Sequence, residues 1–243
     1  MPDPARTATR TVATVLAAPA DGPSGAASLA PLAGRPVIEH SVAAFEASPL
    51  VDEILVVTPP ALAARTGALL AAAGYRKVSR VIAGGATRIE SAWQAIRILG
   101  EADRNLLLHD AVRPLIGPRV IEDCVAALRT YPAACAAVPA SDTMVKVDKD
   151  LITERPPRDR LRRRQTPQGF RLEVIRRGYE LALADPVFAP AADCGLVLRY
   201  LPEVPVRLVP GSERSVTVTA PADIEIAEAV LALESRHSHC APG

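Results

Sequence analysis

The chain has 243 residues, 49% of them hydrophobic and 23% charged, which is enough for one large domain and too apolar for wholesale disorder. Its 28 Lys and Arg nearly balance 27 Asp and Glu, so no global field draws it to nucleic acid or an anionic membrane, and 3% aromatics argue against a base-stacking surface. An Ala/Val/Leu-built α/β domain is the expectation.

In chain order, residues 1–10 are expected to be a flexible N-terminus. Thr11–Ala18 is a continuous apolar run suited to a parallel strand buried on both faces. With Arg6 and Arg10 ahead of it and Ala18-Pro19-Ala20 behind, it also mimics a short signal peptide, but a buried first strand accounts for the same residues. Pro36 can open a helix through Ser41–Phe45. A second strand over Asp52–Thr58 is stopped by Pro59-Pro60, and a helix over Ala61–Ala73 ends at Gly74. Lys77–Ala83 is the third strand. Gly84-Gly85 breaks it, and Thr87 caps a helix to Leu99. Arg104–His109 is the fourth strand, ending at Asp110. Pro118 starts a helix to Leu128, and Ala133–Pro139 is the fifth strand.

Residues 141–166 then alternate polar and apolar and carry Pro156-Pro157 and six arginines between Arg155 and Arg164. They read as an excursion of two exposed strands joined by a turn. Helices at Arg171–Leu183 and around Cys194–Leu201, a strand at Val204–Val209 and a helix at Pro221–Leu233 complete the domain, 11–235, with residues 236–243 a flexible tail. Successive βα units imply a single-domain, mostly parallel sheet flanked by helices, with ligands beyond the carboxyl ends of its strands.

The strand-end loops hold the candidate chemistry. Gly84-Gly85 lets a backbone approach a flat or anionic ligand, with Arg88 and Ser91 within reach, although a tight strand-to-helix turn explains the same glycines. In His109-Asp110-Ala111-Val112-Arg113-Pro114, Asp110 can accept from hydroxyls and Arg113 can grip a phosphate; a structural ion pair is the alternative. Ser141–Lys146 and Gln165-Thr166-Pro167-Gln168-Gly169-Phe170 add hydroxyl and amide groups. The four cysteines, Cys124, Cys135, Cys194 and Cys240, have no metal-ligand spacing and read as free thiols of a reducing compartment, so no metal centre of protein ligands is expected. No apolar run approaches the ~20 residues of a membrane span, and the cytoplasm is the expected location.

Taken together, these segments resemble the 2-C-methyl-D-erythritol 4-phosphate cytidylyltransferases. The likeness is carried by Leu32–Ser41, Gly84-Gly85 with Arg88 and Ser91, the 109–114 and 165–170 motifs, Asp142-Thr143, Val209–Arg214 and Thr219–Ile224, over about residues 11–235. The resemblance implies a nucleotide-diphospho-sugar transferase-like fold. It also implies transfer of CMP from CTP to 2-C-methyl-D-erythritol 4-phosphate with release of pyrophosphate, in the non-mevalonate isoprenoid route, with Mg2+ as cofactor. Carried over by position, Ala17, Ala18, Gly84, Gly85, Arg88 and Ser91 bind the nucleotide. Asp110, Arg113, Thr143, Arg158 and Thr166 bind the acceptor, with Thr143 and Arg158 supplied by the partner subunit of a homodimer through the 141–166 arm.

The first loop departs from that pattern. No Lys or Arg lies between Thr11 and Gly34; the family's first glycine position is Pro19, its arginine position falls near Pro23, and its lysine position is Ala27. A second family lysine is replaced by Thr217, and Thr-Asp-Asp-Ala reads Ala191-Ala192-Asp193-Cys194. CTP carries about four negative charges, and phosphoryl-type transfer depends on preplaced positive charge. Removing one such group typically costs about 10²–10³ in rate. Two expectations follow: a cytidylyltransferase, its acceptor or nucleotide unchanged or altered, and a non-catalytic paralogue that binds a sugar or polyol phosphate or a partner protein. The stripped loop favours the second for turnover. The arginine run of the arm is either a solvated face or a source of replacement charge over a neighbour's pocket.

Overall fold

A computed structural model describes residues 9–17, 27–187 and 193–239. The expectations placed on residues 1–8, Ala18, Pro19, Pro23, Ala191, Ala192 and Cys240 lie outside the described residues.

β1 (Arg10–Leu16) is buried from Thr11 onward and takes an interior place in a seven-stranded sheet. A two-residue ladder, β2 (Pro31–Leu32) with β3 (Arg35–Pro36), leads into α1 (Val37–Ala47), whose N-cap is Pro36. β4 (Glu53–Thr58) runs through a single 3-10 turn, Pro60–Leu62, into α2 (Ala63–Ala72). Gly74 closes that helix at φ 74°, a left-handed conformation that costs an L side chain energy. β5 (Val78–Ala83) is followed by α3 (Arg88–Leu99), where the Thr87 hydroxyl accepts from the Glu90 N–H as the cap. β6 (Arg104–Asp110), α4 (Pro118–Leu128) and β7 (Ala133–Pro139) follow as the sequence predicts.

The excursion is a hairpin, β8 (Lys146–Asp148) with β9 (Leu151–Glu154), turned by Lys149 and Asp150 at φ 43° and 67°, the left-handed values that tight hairpins require. Here the sequence reading needs correction. Residues 162–166 are not part of a two-stranded arm; they begin a ten-residue strand, β10 (Arg162–Arg171), inside the main sheet. α5 (Leu172–Ala184), α6 (Asp193–Tyr200), β11 (Val206–Pro210) and α7 (Pro221–His239) complete the chain, α7 running past Leu233 where the sequence ends it.

The strand order is β11-β7-β10-β6-β1-β4-β5. All neighbours are parallel except β10, which is antiparallel to both β6 and β7. A parallel sheet must be covered on both sides, and it is. One core packs α3, α5 and α6 through Ile96, Ile175, Tyr179, Leu196 and Val197 against Val12, Leu55, Leu106 and Phe170. The other packs α1, α2 and α4 through Phe45, Leu70 and Ile121 against Ala13, Ile54 and Leu107. Burying each such Leu, Ile or Phe contributes roughly 1.5–3 kcal/mol. A smaller cluster, Leu32, Val37, Leu115, Val218 and Ala227, seats α7 beside the β2–β3 ladder. Among the described residues no helix is long and apolar enough to cross a membrane, and Cys124, Cys135 and Cys194 are buried free thiols.

Candidate active site at the carboxyl edge of the sheet

The register Leu16↔Asp110 brings the carboxyl ends of the central strand β6 and its neighbour β1 together. Ala17 follows β1, buried, its N–H donating to Val57 O at 2.7 Å, while the Ala111 N–H donates to Leu16 O at 2.9 Å. These two bonds carry the ladder one residue past the strands, so the loops after β1 and β6 start side by side at the carboxyl edge, where such folds bind their ligands.

Asp110 is the hub. Its Oδ1 accepts from Arg88 Nε at 2.7 Å, and its Oδ2 stands 3.7 Å from Arg113 Nε. Burial pushes its carboxyl up, but the Arg88 guanidinium outweighs that and holds it below the usual carboxylate range. Of the two readings of the 109–114 motif, the ion pair is present: Asp110 and Arg113 pair with each other, and they do so at the carboxyl edge of the sheet. Burial lowers the Arg113 pKa, and the positive charges of Arg164, Arg163 and Arg88 lower it further against the pull of Asp110. Arg163 reaches Glu213 at 2.8 Å. Arg164 has no ion pair among the described residues.

His109, wholly buried, holds the turn. Its Nε2–H donates to Arg113 O at 3.1 Å, its Nδ1 accepts from the Thr166 hydroxyl at 3.0 Å, and Thr166 Oγ1 accepts from the Asp110 N–H at 3.2 Å. The ring meets Phe45 edge-on at 5.2 Å between centroids. Burial drives its pKa down to about 4, which keeps the imidazole neutral and consistent with one donor and one acceptor nitrogen. Ser41 Oγ donates to Ala111 O at 3.2 Å, fixing the other side of the loop. Sequence reasoning named Asp110, Arg113 and Thr166 but gave His109 no role.

The Gly84-Gly85 loop is closed by its own serine. Ser91 Oγ accepts from the Gly85 N–H at 3.1 Å and donates to Thr87 O at 2.9 Å, and a methyl at Gly84 would overlap that oxygen. Ser91 is wholly buried. Arg88 turns inward: besides Asp110 it reaches Asp193, with Nη1 and Oδ2 2.7 Å apart, and Asp193 Oδ1 accepts from the Tyr179 hydroxyl at 2.6 Å. Tyr179 in turn stacks on Trp93, centroids 5.8 Å apart and planes at 5°. The Coulomb pull of Asp193 and Asp110 outweighs burial and raises the Arg88 pKa. In sequence Asp193 stands out only as the aspartate retained from the family's Thr-Asp-Asp-Ala, with no partner assigned, and Tyr179 carries no signal; only the fold brings α5, α6 and α3 together.

Thr143 and Arg158 lie exposed beside the hairpin, Arg158 Nε donating to Ala140 O at 2.8 Å, and among the described residues neither bonds to the Asp110 cluster. Thr217 stands half-buried next to Val218, whose N–H donates to Val112 O at 2.7 Å, so the replaced lysine position does border the 109–113 loop. Ala27 is half-buried where the described chain resumes. Gln165 holds the 211–212 segment, donating to Ser212 O at 2.7 Å and accepting from the Ser212 N–H at 3.0 Å. Among the described residues no group of three or more His, Cys, Asp or Glu could hold a metal.

These features match known proteins closely. The family model described as "IspD: 2-C-methyl-D-erythritol 4-phosphate cytidylyltransferase" matches residues 12–233. A 2-C-methyl-D-erythritol 4-phosphate cytidylyltransferase of Thermobifida fusca is 48% identical over 94% of this chain and 96% of its own. A bifunctional ribulose 5-phosphate reductase/CDP-ribitol pyrophosphorylase of Haemophilus influenzae is 35% identical over 85% of this chain, which spans 44% of that protein. The crystal structure of a 4-diphosphocytidyl-2C-methyl-D-erythritol synthase from Anaerococcus prevotii superposes with a TM-score of 0.84 at 26% identity, covering 93% of this chain and all of that one. Motifs, strand order and the match along nearly the whole domain agree, and the chain belongs to the 2-C-methyl-D-erythritol 4-phosphate cytidylyltransferase family.

Proposed function

We propose that the protein transfers a cytidylyl group from CTP to 2-C-methyl-D-erythritol 4-phosphate in the cytoplasm. The observation that carries this reading is the convergence of Asp110, Arg113 and Thr166 at one strand edge, held there by buried partners. An acceptor phosphate oxygen attacks the α-phosphorus; the new P–O bond forms as the α–β bridging bond breaks, and its electrons leave with pyrophosphate. No protein nucleophile is needed. Arg113 would orient the acceptor phosphate, Asp110 and Thr166 its polar groups, and the backbone at Ala17, Gly84 and Gly85 would face the base.

Both oxygens of the Asp110 carboxylate already face arginines, so magnesium would be carried chiefly by the substrate phosphates and not by a cage of protein ligands. Bound that way it would neutralise triphosphate charge. Arg163 and Arg164 would add positive charge where the first loop has none. The exposed β8–β9 hairpin, with Leu151 and Ile152 71% and 69% accessible, would seat a second copy of the chain and bring the partner's Thr143 and Arg158 to the acceptor.

One observation favours a second reading. With no Lys or Arg from Thr11 to Gly34, the triphosphate lacks its usual cations, and a non-catalytic binder of the acceptor, or an enzyme for another polyol phosphate, would need fewer of them. Purified protein mixed with CTP, magnesium and 2-C-methyl-D-erythritol 4-phosphate decides. Pyrophosphate release supports the enzyme. Its absence, with calorimetric binding of the polyol phosphate that is lost in R113A, supports the binder.

A further inference from the structure

Four charges stand in a row at the back of the site: Arg113, Asp110, Arg88 and Asp193. The first two keep part of their side-chain surface exposed at the strand edge. The last is wholly buried, and its partners are Arg88 and Tyr179. A buried carboxylate is costly to keep unless it is paired and hydrogen-bonded. Asp193 has both kinds of partner: Arg88 Nη1 at 2.7 Å and the Tyr179 hydroxyl at 2.6 Å. Tyr179 is itself immobilised, buried on the inner face of α5 and stacked flat against Trp93.

The arrangement has a mechanical reading. Arg88 is held at two separate points of its guanidinium, Nε by a hydrogen bond to Asp110 and Nη1 by a close ion pair with Asp193. One point alone would leave the planar group free to swing about that bond. Two points fix both its position and its plane. A fixed Arg88 in turn fixes Asp110 Oδ1, and this sets where Oδ2 lies relative to Arg113. The two arginines and two aspartates also cancel in charge. Asp193 takes up charge on Arg88 that Asp110 would otherwise have to balance alone, so Asp110 stays available to Arg113.

We infer that Asp193 is a positioning residue, which acts through Arg88 to hold Asp110 in register with Arg113, and that Tyr179 locks it in place. For the substrates that meet Asp110 and Arg113 this rests on the cytidylyltransferase reading above. The link from Asp193 to Asp110 does not.

The test uses the full-length protein and its D193N and Y179F variants, with two readouts. The first is steady-state pyrophosphate release, varying the polyol phosphate and CTP separately. D193N is expected to lower kcat about tenfold to a hundredfold, the cost of a small misplacement at a reacting centre. Because the Arg88 side chain is turned inward onto the two aspartates and the nucleotide is left to the loop backbone at Gly84 and Gly85, D193N should raise KM for the polyol phosphate more than KM for CTP. Y179F keeps the carboxylate and should lose less. A merely structural Asp193 would lower the melting temperature and leave the two KM values in their original ratio.

The second readout needs no substrate. The Arg88 Nε–H, bonded to Asp110 Oδ1, is followed by its exchange with solvent in nitrogen-15 NMR spectra. Loss of the second grip should speed that exchange about tenfold in D193N and less in Y179F, while the α3 backbone amides keep their wild-type rates. Should the wild-type protein turn nothing over, the catalytic reading fails and this measurement alone decides the inference. Should D193N not fold, Y179F decides by the same two measures. Unchanged kinetic constants, or in the inactive case an unchanged Arg88 exchange rate, overturn the assignment.

Discussion

The Thr166 hydroxyl donates to His109 Nδ1 at 3.0 Å while the same oxygen accepts from the Asp110 N–H at 3.2 Å. One side chain of β10 thus sets both the tautomer of a buried imidazole and the position of the hub carboxylate. T166V keeps the shape and removes both bonds, leaving a buried nitrogen and a buried N–H unpaired. Stability is expected to fall by about 1–3 kcal/mol, read as a lower urea midpoint at unchanged m-value.

His109 also gives the protein a pH response. Its folded pKa of about 4 lies below the unfolded value near 6.5, so between those limits the unfolded chain binds more protons than the native one. Stability is therefore fully present above about pH 6.5 and is lost as pH falls toward 4, by on the order of 3 kcal/mol. Asp110, held low by Arg88 against its own burial, adds a loss of the same sign at lower pH. Denaturation curves at intervals from pH 7 to pH 4 measure the slope, and H109Q should flatten it.

Arg164 stands near enough to Arg113 to weaken that group's hold on its proton, yet it has no ion pair among the described residues. R164A should weaken binding of inorganic pyrophosphate about twofold to fivefold, the modest size expected of an exposed charge. The salt dependence of binding should flatten with it. Calorimetry at two ionic strengths reports both. Equal affinity and equal salt slope would assign Arg164 to the solvated face of the strand.

The hairpin carries Met144, Val147, Leu151 and Ile152 exposed to solvent. L151D/I152D should leave the melting transition of the monomer cooperative and halve the mass seen by sedimentation from that of a dimer. Acceptor binding should weaken with it if Arg158 is lent to a neighbour. A wild-type chain that sediments as a monomer at tens of micromolar removes the basis for that arm's role.

Ala27 offers a gain-of-function experiment. A27K puts a cation back at the family's lysine position, and pyrophosphate release should rise about tenfold or more if the missing charge limits turnover. No change would mean that the bare first loop is not the bottleneck.

Much of this architecture was legible because it obeys local rules. Pro118 starts α4 and Ala133–Pro139 forms β7 where the sequence places them, and Thr87 caps α3 as its spacing demands. β10 was not legible. Arg162–Arg164 looks like surface, and Gln165, Thr166 and Gln168 are polar, yet these three are buried, with Gln165 bonded to Ser212, Thr166 to His109, and Gln168 Oε1 accepting from the Cys194 N–H. Pro167 sits inside the sheet only because the register shifts between Arg164 and Gln168, and a bulge has no period to read. Asp193 was visible as a retained family aspartate, but its partner was not. Its carboxylate is matched to Arg88 by tertiary packing alone, and no spacing along the chain encodes that.

The position of β10 has a consequence for how the site comes into being. It lies between β6 and β7, with Gln168 opposite both Leu108 and Cys135, so those two earlier strands never touch each other without it. A nascent chain released only as far as β7 therefore has no closed sheet on that side and no hydroxyl to clamp His109. Assembly of the crevice must wait for a segment made late in synthesis to thread between two made before it, a pairing order that favours slow closure and makes the unfinished half-sheet the stretch most in need of protection on the ribosome.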